Sequence, residues 1–241
     1  MEKPLNKEKL ALLLKEIKKS FPLIINFSHQ KGGVGKSTLS YNFAESFRIL
    51  GFKVKLLDVD IQNTCGDLNS LRETPFTDIE QVSSEEKLID IINNSTTDGS
   101  EIIIIDTGGF DSALSRLAIM GADINLTPVS DKVTEVLAVV KKYSKTLGEI
   151  GVDTDTEVSS YVLLNKIHPF ATRFEHIEEM IEESPQMEMF NSIIRDRGIY
   201  DKSFIDGRTV FEAPELKGHE EAVNEILRAT YEIIDKHVNK G

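Results

Sequence analysis

Short apolar runs alternate with longer amphipathic segments along most of the chain, a pattern typical of strands alternating with helices. The apolar runs predict strands at residues 23–27, 52–57, 102–105, 122–127, 158–164 and, at an edge, 187–194. The amphipathic segments predict helices at residues 37–50, 85–93, 112–120, 131–147, 170–181 and 220–237. We therefore expect an α/β fold, a single domain with a mostly parallel, twisted sheet and helices on both faces.

The first twenty residues form a separate unit in this pattern. Leu10, Leu13, Leu14 and Ile17 recur at helical spacing among lysines and glutamates, which predicts a short N-terminal amphipathic helix over residues 1–20. It should end before Pro22, because the residue before a proline avoids the helical region. The domain itself is predicted to occupy residues 21–241, with no repeat or internal linker.

Composition narrows the class of protein. The 241 residues are 40% hydrophobic, enough for a core, but no apolar run approaches the ~20 residues of a membrane-spanning helix. The N-terminus lacks the features of a signal peptide, so we expect a cytoplasmic protein. Cys65 is the single cysteine, which excludes a disulfide framework and a CxxC site, and we interpret it as an ordinary buried or loop residue.

Charge is unevenly distributed along the chain. The formal net charge is −12, yet residues 1–60 carry 11 basic and 6 acidic side chains and the rest carry 17 and 34, giving +5 and −17. An acidic body repels nucleic acid and acidic membrane surfaces at long range. Such a partner would have to meet a local basic patch.

The clearest motif is a glycine-rich loop, Gln30-Lys-Gly-Gly-Val-Gly-Lys-Ser-Thr38, between the first predicted strand and the first predicted helix. Its glycines let backbone N–H groups turn toward an anion, and the following helix adds its positive end. Lys36 is placed to reach terminal phosphates, and the Ser37 hydroxyl to coordinate Mg²⁺. The alternative is a glycine-rich turn without a ligand.

This loop resembles the deviant Walker A box of the ParA/MinD family of ATPases, because Gln30 replaces the usual leading glycine and Lys31 follows it. The resemblance implies that the protein binds ATP and Mg²⁺ and forms an ATP-dependent homodimer, with Lys31 reaching the partner's nucleotide. It also implies a set of nucleotide contacts, from Gly32, Gly33, Val34, Gly35, Lys36, Ser37 and Thr38. A solvated loop lysine is the alternative for Lys31.

Two further segments resemble family motifs and end in acids. Residues 58–62 resemble the D-x-D-P-Q segment with Ile61 in place of proline, which implies that Asp60 orients the attacking water and that Asp58 lies near the metal. Residues 102–106 resemble a Walker B strand, which implies that Asp106 holds Mg²⁺ and that Thr107-Gly-Gly109 senses the γ-phosphate. A solvated acid at a strand end is the alternative for Asp60.

Two later segments are similar to parts of the family near the base. Asn165 stands where the family uses an asparagine to bond adenine, with a turn-capping asparagine as the alternative. Residues 200–212 resemble the tail of small plasmid-type, ParF-like ParA proteins, which lies close to the base and the dimer face. His29 precedes the loop and is interpreted as structural.

The family's branches differ in partners. Iron–sulfur relatives need paired cysteines, which this chain lacks, and its last helix lacks the basic, aromatic face of a membrane anchor, so no membrane partner is expected. Non-specific DNA is a possible partner, but residues 195–217 carry five basic and five acidic side chains. The other basic candidate is the lysine-rich N-terminal helix.

The resemblance therefore predicts a ParA-type ATPase that hydrolyses ATP slowly to drive plasmid or DNA segregation with a DNA-bound, ParB-like partner. Association with the nucleoid is compatible with this prediction. A nucleotide-gated positioning protein for a non-DNA cargo is the alternative that the acidic body favours. A metabolic P-loop enzyme is a third hypothesis. No motif in the sequence indicates a pocket for a small-molecule acceptor, and Lys31 argues against this hypothesis.

Overall fold

The computed structural model describes residues 22–75, 78–97 and 99–239. Seven strands within them form one sheet, namely β1 (Leu23–Phe27), β2 (Val54–Asp58), β3 (Asp78–Gln81), β4 (Ile102–Asp106), β5 (Ile124–Val129), β6 (Ser160–Ile167) and β7 (Met187–Arg195). Their order is β3-β2-β4-β1-β5-β6-β7, and every neighbouring pair is parallel. The predicted α/β class and parallel sheet are confirmed, with β7 at an edge.

Helices connect the strands. They are α1 (Lys36–Ile49), α2 (Thr64–Ser70), α3 (Glu85–Asn93), α4 (Ala113–Gly121), α5 (Val133–Ala138), α6 (Ser144–Thr154), α7 (Glu175–Glu182), α8 (Ile199–Ser203) and α9 (His219–Asn239). A π-helical segment, Val139–Tyr143, joins α5 to α6. Because the strands are parallel, these crossovers cover the sheet rather than leave it open to water.

Alternate side chains of the central strands pack against different helices. On one face, Ile25 and its neighbours on β1 share a core with α1 and α9, represented by Phe43 and Ile233. On the other face, Ile103 packs with α3 and α4, while the β6 side chains pack with the π-helical segment, α6 and α7. The predicted helices on both faces are therefore present, and one domain is formed around the sheet.

The end of α1 shows how local sequence sets an element. Gly51 adopts a left-handed φ of +90°, which a side chain would disfavour. Its N–H donates to the Arg48 carbonyl and the Phe52 N–H donates to the Phe47 carbonyl. The rings of Phe47 and Phe52 also pack edge to face. This is a Schellman ending, and α1 stops within one residue of its predicted end at residue 50.

Several boundaries differ from the sequence predictions. The helix expected over residues 131–147 begins at Val133 and runs on through the π-helical segment to Thr154, and α7 begins at Glu175 rather than at Phe170. Helix α2 and strand β3 were missed, because α2 is short and β3 is a four-residue edge strand with polar alternate positions. The helix expected over residues 1–20 lies outside the described residues.

Candidate functional site

The predicted site residues meet at the carboxyl ends of the central strands. The glycine-rich loop follows β1, and the order of the sheet places β4 and then β2 on one side of β1. Asp106 is paired in register with Phe27 on one side and with Asp58 on the other. The loop and the two acids therefore meet at one edge of the sheet, where ligands of open α/β sheets bind.

The loop has the backbone geometry of an anion cradle. Gly33 and Gly35 have left-handed φ values of +80° and +97°, and Gly35 directly precedes α1. A Cβ atom at Gly35 would lie 2.5 Å from Asn165 Nδ2, whereas Cβ atoms at Gly32 and Gly33 would meet nothing within 4 Å. The outer surface of the loop is thus open at the N-terminus of α1, which fits a phosphate group.

Lys36 supplies a positive charge inside this cradle. It is only 6% exposed, and its Nζ atom lies 3.5 Å from the Lys31 carbonyl oxygen. Burial lowers the pKa of Lys36, although the nearby Asp106 and Asp60 carboxylates oppose that shift. A partly desolvated ammonium attracts an anion more strongly than a hydrated one, so Lys36 fits the role of holding terminal phosphates.

Asp106 lies beside the hydroxyl side chains of α1. Its carboxylate accepts hydrogen bonds from Ser37 and from Ser40 Oγ, the latter at 3.3 Å. Burial and the neighbouring Asp58 carboxylate raise the pKa of Asp106 to about 7. A buried carboxylate paired with a serine hydroxyl at a phosphate loop fits Mg²⁺, a hard cation that prefers oxygen ligands. Ser37 and Asp106 would hold the ion directly or through water.

Asp58 has a different environment from Asp106, although the two are neighbours. Its two carboxylate oxygens accept backbone N–H groups, Oδ1 from Asp60 at 3.0 Å and Oδ2 from Cys65 at 2.9 Å. It therefore fixes the turn that follows β2. The Asp58 charge would lie near a metal held by Asp106. Because both of its oxygens already accept hydrogen bonds, Asp58 fits a supporting role more readily than that of a direct ligand.

The pKa of Asp106 has a consequence for stability in metal-free, nucleotide-free protein. The unfolded carboxyl titrates near ~3.9. Between about pH 4 and about pH 7 the folded protein therefore retains a proton that the unfolded chain has lost. We expect this group to make the free energy of unfolding fall as pH rises through that window, and Asp106→Asn to remove that part of the decline.

Urea denaturation in EDTA at stepped pH measures this difference. Asp67→Asn, a change at an exposed acid of α2, is the control. An unchanged pH slope in the Asp106→Asn protein would contradict the expectation.

Asp60 and the segment after β4 lie against the loop. The Asp60 carboxylate accepts the Gln62 N–H at 3.1 Å, and a Cβ atom at Gly108 would lie 3.6 Å from Asp60 Cγ. A Cβ atom at Gly109 would lie 2.7 Å from the Gly32 nitrogen. These glycines allow the segment to touch both the acid and the phosphate loop, which is the position of a group that senses the nucleotide. Ile61, at the proline position of the motif, is 78% exposed.

The Lys31 side chain forms an ion pair with Glu135. Its Nζ atom lies 3.1 Å from Glu135 Oε1, and the two side chains are 60% and 8% exposed. Glu135 also accepts hydrogen bonds from the Ser130 N–H, at 2.9 Å, and from the Ser130 hydroxyl. Burial raises the pKa of Glu135, but the hydrogen bonds from Ser130 and Lys31 outweigh it and keep the pKa below its ordinary value. Glu135 is therefore an anion that holds Lys31.

A cavity of about 250 Å³ adjoins the start of α1. Thr38, Asn165 and Tyr200 contribute to its wall, together with arginines from the end of β7 and the loop after it. Asn165 Nδ2 donates to the Val34 carbonyl oxygen at 2.7 Å, which ties the end of β6 to the phosphate loop. Its Oδ1 atom keeps acceptor capacity for a base. The cavity is large enough for part of a nucleoside, so Asn165 fits the place predicted for it.

Comparisons with known proteins agree with this geometry. A family model described as an AAA domain matches residues 23–194, more than half of the chain. The sporulation initiation inhibitor protein Soj of Bacillus subtilis is 34% identical over 110 residues, which span 44% of this chain and 38% of Soj. The chain belongs to the ParA/MinD family of ATPases.

Solved structures of the ParA/MinD family share the fold. The cell division protein MinD of Aquifex aeolicus aligns with a TM-score of 0.63 at 18% identity, covering 86% of this chain and 95% of that one. A putative plasmid partition protein of Borrelia burgdorferi, bound to AMPPNP, aligns with a TM-score of 0.62 at 16% identity, covering 89% and 99%. Both of these likenesses lie below 25% identity and show a shared fold.

Three residues of this ParA/MinD site were not identified from the sequence. Cys65 is buried, as interpreted, but its thiol also lies 3.5 Å from Asp106 Oδ2. Glu135 lies 104 positions from its partner Lys31, and no motif marks it. His29 contacts the backbone of Lys31. Of these three residues, His29 alone lies next to a motif, because it directly precedes the glycine-rich loop. Its position is therefore the one feature of the sequence that could have indicated a role at the site.

Proposed function

We propose that this ParA/MinD ATPase binds ATP and Mg²⁺, forms a homodimer with ATP between the subunits, and uses slow hydrolysis as a timer for DNA segregation. The cargo is most simply a plasmid, and a DNA-bound, ParB-like partner stimulates hydrolysis. The observation that carries the proposal is Lys31, a largely exposed second lysine at a phosphate loop that already contains the buried Lys36. Lys31 is available to a second subunit, whereas Lys36 is not.

The remaining roles follow the site geometry. Lys36 and the backbone N–H groups of residues 32–38 hold the phosphates, and Lys31 acts on the partner's nucleotide. Ser37 and Asp106 hold Mg²⁺, which offsets charge on the phosphate oxygens, with Asp58 fixing the adjacent turn. Asp60 keeps a water in line with the γ-phosphate. Phosphoryl transfer needs positioning and charge stabilisation rather than covalent help, which this set can supply.

The ion pair between Lys31 and Glu135 competes with dimerisation in this proposal. Glu135→Gln keeps the size of the side chain and one acceptor oxygen for Ser130 but removes the charge that binds Lys31. A half-exposed ion pair is worth up to ~1 kcal/mol, and a symmetric dimer contains two, so releasing Lys31 should tighten the ATP-dependent dimer by a factor between about five and about 25. Sedimentation of the ATP-bound protein measures this affinity.

A substitution on α6, which continues from α5 through the π-helical segment, provides the control. Glu149→Gln breaks the exposed pairs with Arg116 and Lys145 and should leave dimer affinity unchanged. A weaker dimer in the Glu135→Gln protein would show that Glu135 positions Lys31 for the partner instead of restraining it.

The DNA surface is the part of the proposal with least support from the fold. Three of the five basic residues between positions 195 and 217 are engaged within the chain. Arg197 pairs with Glu225, Arg208 pairs with Asp206 and Glu215, and Arg195 donates to the carbonyls of residues 168 and 171. These three guanidinium groups are therefore committed to contacts within the chain, which argues against a basic stripe formed by them.

This pairing favours a second candidate function, nucleotide-gated positioning of a non-DNA cargo. The structural neighbours include both a cell division protein and a plasmid partition protein, so the fold accommodates either kind. No helix within the described ranges, 22–75, 78–97 and 99–239, is long and apolar enough to cross a bilayer.

A DNA titration separates the two functions. Binding of non-specific duplex DNA is measured with ATP and with ADP at several salt concentrations. The DNA-segregation proposal predicts binding that needs ATP and weakens steeply with salt, because lysine and arginine contacts to phosphates release counterions. Absence of ATP-dependent, salt-sensitive binding would leave only the non-DNA function.

A further inference from the structure

We infer that His29 is a positioning residue for Lys31: its ring holds the Lys31 backbone amide so that the lysine side chain leaves the loop toward a second subunit. This inference rests on the proposed trans action of Lys31. The contact that carries it is direct, since the Lys31 N–H donates to His29 Nδ1 at 2.8 Å. The N–H that would otherwise be free to turn toward a phosphate is thereby fixed.

The histidine ring has no other polar contact among the described residues. Nδ1 accepts the Lys31 N–H and is therefore unprotonated, so the proton of the neutral ring resides on Nε2. His29 is 3% exposed, and Nε2 is buried with no hydrogen-bond partner in the described part of the chain. A buried unpaired donor is unfavourable. Within the described residues, the hydrogen bond at Nδ1 is therefore the contact that accounts for the position of the ring, since Nε2 takes part in no hydrogen-bond network.

The ring remains a hydrogen-bond acceptor under ordinary conditions. Burial, together with the Lys36 and Lys31 ammonium groups, lowers the pKa of His29 to about 4, with the Glu135 carboxylate opposing them. Near neutral pH, His29 is consequently uncharged and can accept the N–H. A cationic ring would have lost this acceptor site.

A stacking contact fixes the orientation of the His29 ring. The ring lies against Tyr143, with centroids 6.5 Å apart and planes 10° from parallel. Tyr143 belongs to the π-helical segment, is almost fully buried and shares a short hydrogen bond with the Ser28 hydroxyl. An irregular helical turn at this point directs a tyrosine beneath the loop, as π-helical segments often do at functional sites.

The other side of residue 31 is also confined. A Cβ atom at Gly109 would lie 3.0 Å from the Lys31 carbonyl carbon. The peptide of residue 31 is thus enclosed between His29 and the segment after β4, while the side chain emerges into solvent. The Lys31 ammonium group reaches Glu135, while His29 fixes the backbone from which the side chain extends.

Asparagine and leucine provide a matched pair of replacements. Asparagine Oδ1 stands at the same branch position as histidine Nδ1 and can accept the same N–H, whereas leucine has the branch without an acceptor. We expect His29→Leu to lower ATP turnover by about ten-fold or more, since the Lys31 N–H loses the acceptor that fixes it, while ADP affinity of the monomer stays within about two-fold. His29→Asn should retain most of the turnover.

Combination with Lys31→Ala distinguishes positioning from a general structural role. If His29 acts through Lys31, His29→Leu should cost little further turnover in the Lys31→Ala protein, because contacting residues are non-additive. Equal losses in both backgrounds, or an Asn variant as impaired as Leu, would overturn the inference. His29→Ala replaces His29→Leu in the same cycle should the leucine variant unfold. If Lys31→Ala alone leaves turnover unchanged, the trans lysine itself is wrong and the proposed function fails first.

Discussion

The Lys36→Ala protein is expected to lose productive ATP binding. Lys36 is the buried cation of the phosphate loop, and Asp106 and Asp60 surround it with negative charge. Without the ammonium, phosphates would face these carboxylates uncompensated. Loss of charge-assisted hydrogen bonds worth ~3 kcal/mol corresponds to about 100-fold in affinity. We therefore expect ATP affinity to fall by at least about that factor and ATP-dependent dimers to disappear.

Isothermal titration and sedimentation measure the two consequences separately. Lys53→Ala, which changes an exposed lysine just before β2, is the matched control and should behave as the wild type. Thermal unfolding without nucleotide verifies that the variant folds. Unchanged nucleotide affinity and dimerisation in the Lys36→Ala protein would refute the assignment of Lys36.

The Asp60→Ala protein is expected to form ATP-dependent dimers that hydrolyse ATP slowly. Asp60 lies close to Gly108, and the hydrogen bond that its side chain accepts among the described residues is a local one, from the Gln62 N–H. Loss of a group that orients the attacking water lowers turnover by about 100-fold or more. ATP affinity should change little, because Lys36 and the loop backbone remain.

Asp60→Asn provides a finer comparison. The amide oxygen can still accept the Gln62 N–H, which maintains the turn, but the negative charge is gone. If charge matters for water activation, Asn should be as slow as Ala. Single-turnover measurements on preformed dimers are the assay, with Asp67→Ala as an exposed control on α2. Normal hydrolysis by the Asp60→Ala protein would remove this residue from the mechanism.

The sequence predicts those parts of this site that depend on local pattern. The glycine-rich loop lies between an apolar run and an amphipathic run, and the acids follow directly after apolar runs. Parallel strands carry such positions to one edge, so the meeting of Lys36, Asp58 and Asp106 follows from the order of elements. Gly51 likewise ends α1 through a backbone conformation that glycine adopts easily.

Contacts between distant segments could not be predicted in this way. Glu135 reaches Lys31 only because β5 lies beside β1 and α5 follows β5 at the same edge. The pairing of Arg197 with Glu225 depends on how α9 packs against β7, and a count of charges over residues 195–217 does not include Glu225. Periodicity describes one element at a time. It therefore predicts neither the ion pair that restrains Lys31 nor the contacts of the arginines near the end of β7.

Mixing two inactive variants tests the central claim, that Lys31 acts on the nucleotide of the opposite subunit. Lys31→Ala and Asp60→Ala proteins are combined in equal amounts, then ATP is added and hydrolysis is measured. In a mixed dimer, the site on the Lys31→Ala subunit has its own Asp60 and receives Lys31 from the partner, so it is complete. With random assembly, about a quarter of all sites should be active in a two-fold symmetric dimer. If Lys31 acts within its own subunit, no site is complete, and a mixture no more active than the separate variants would contradict the account.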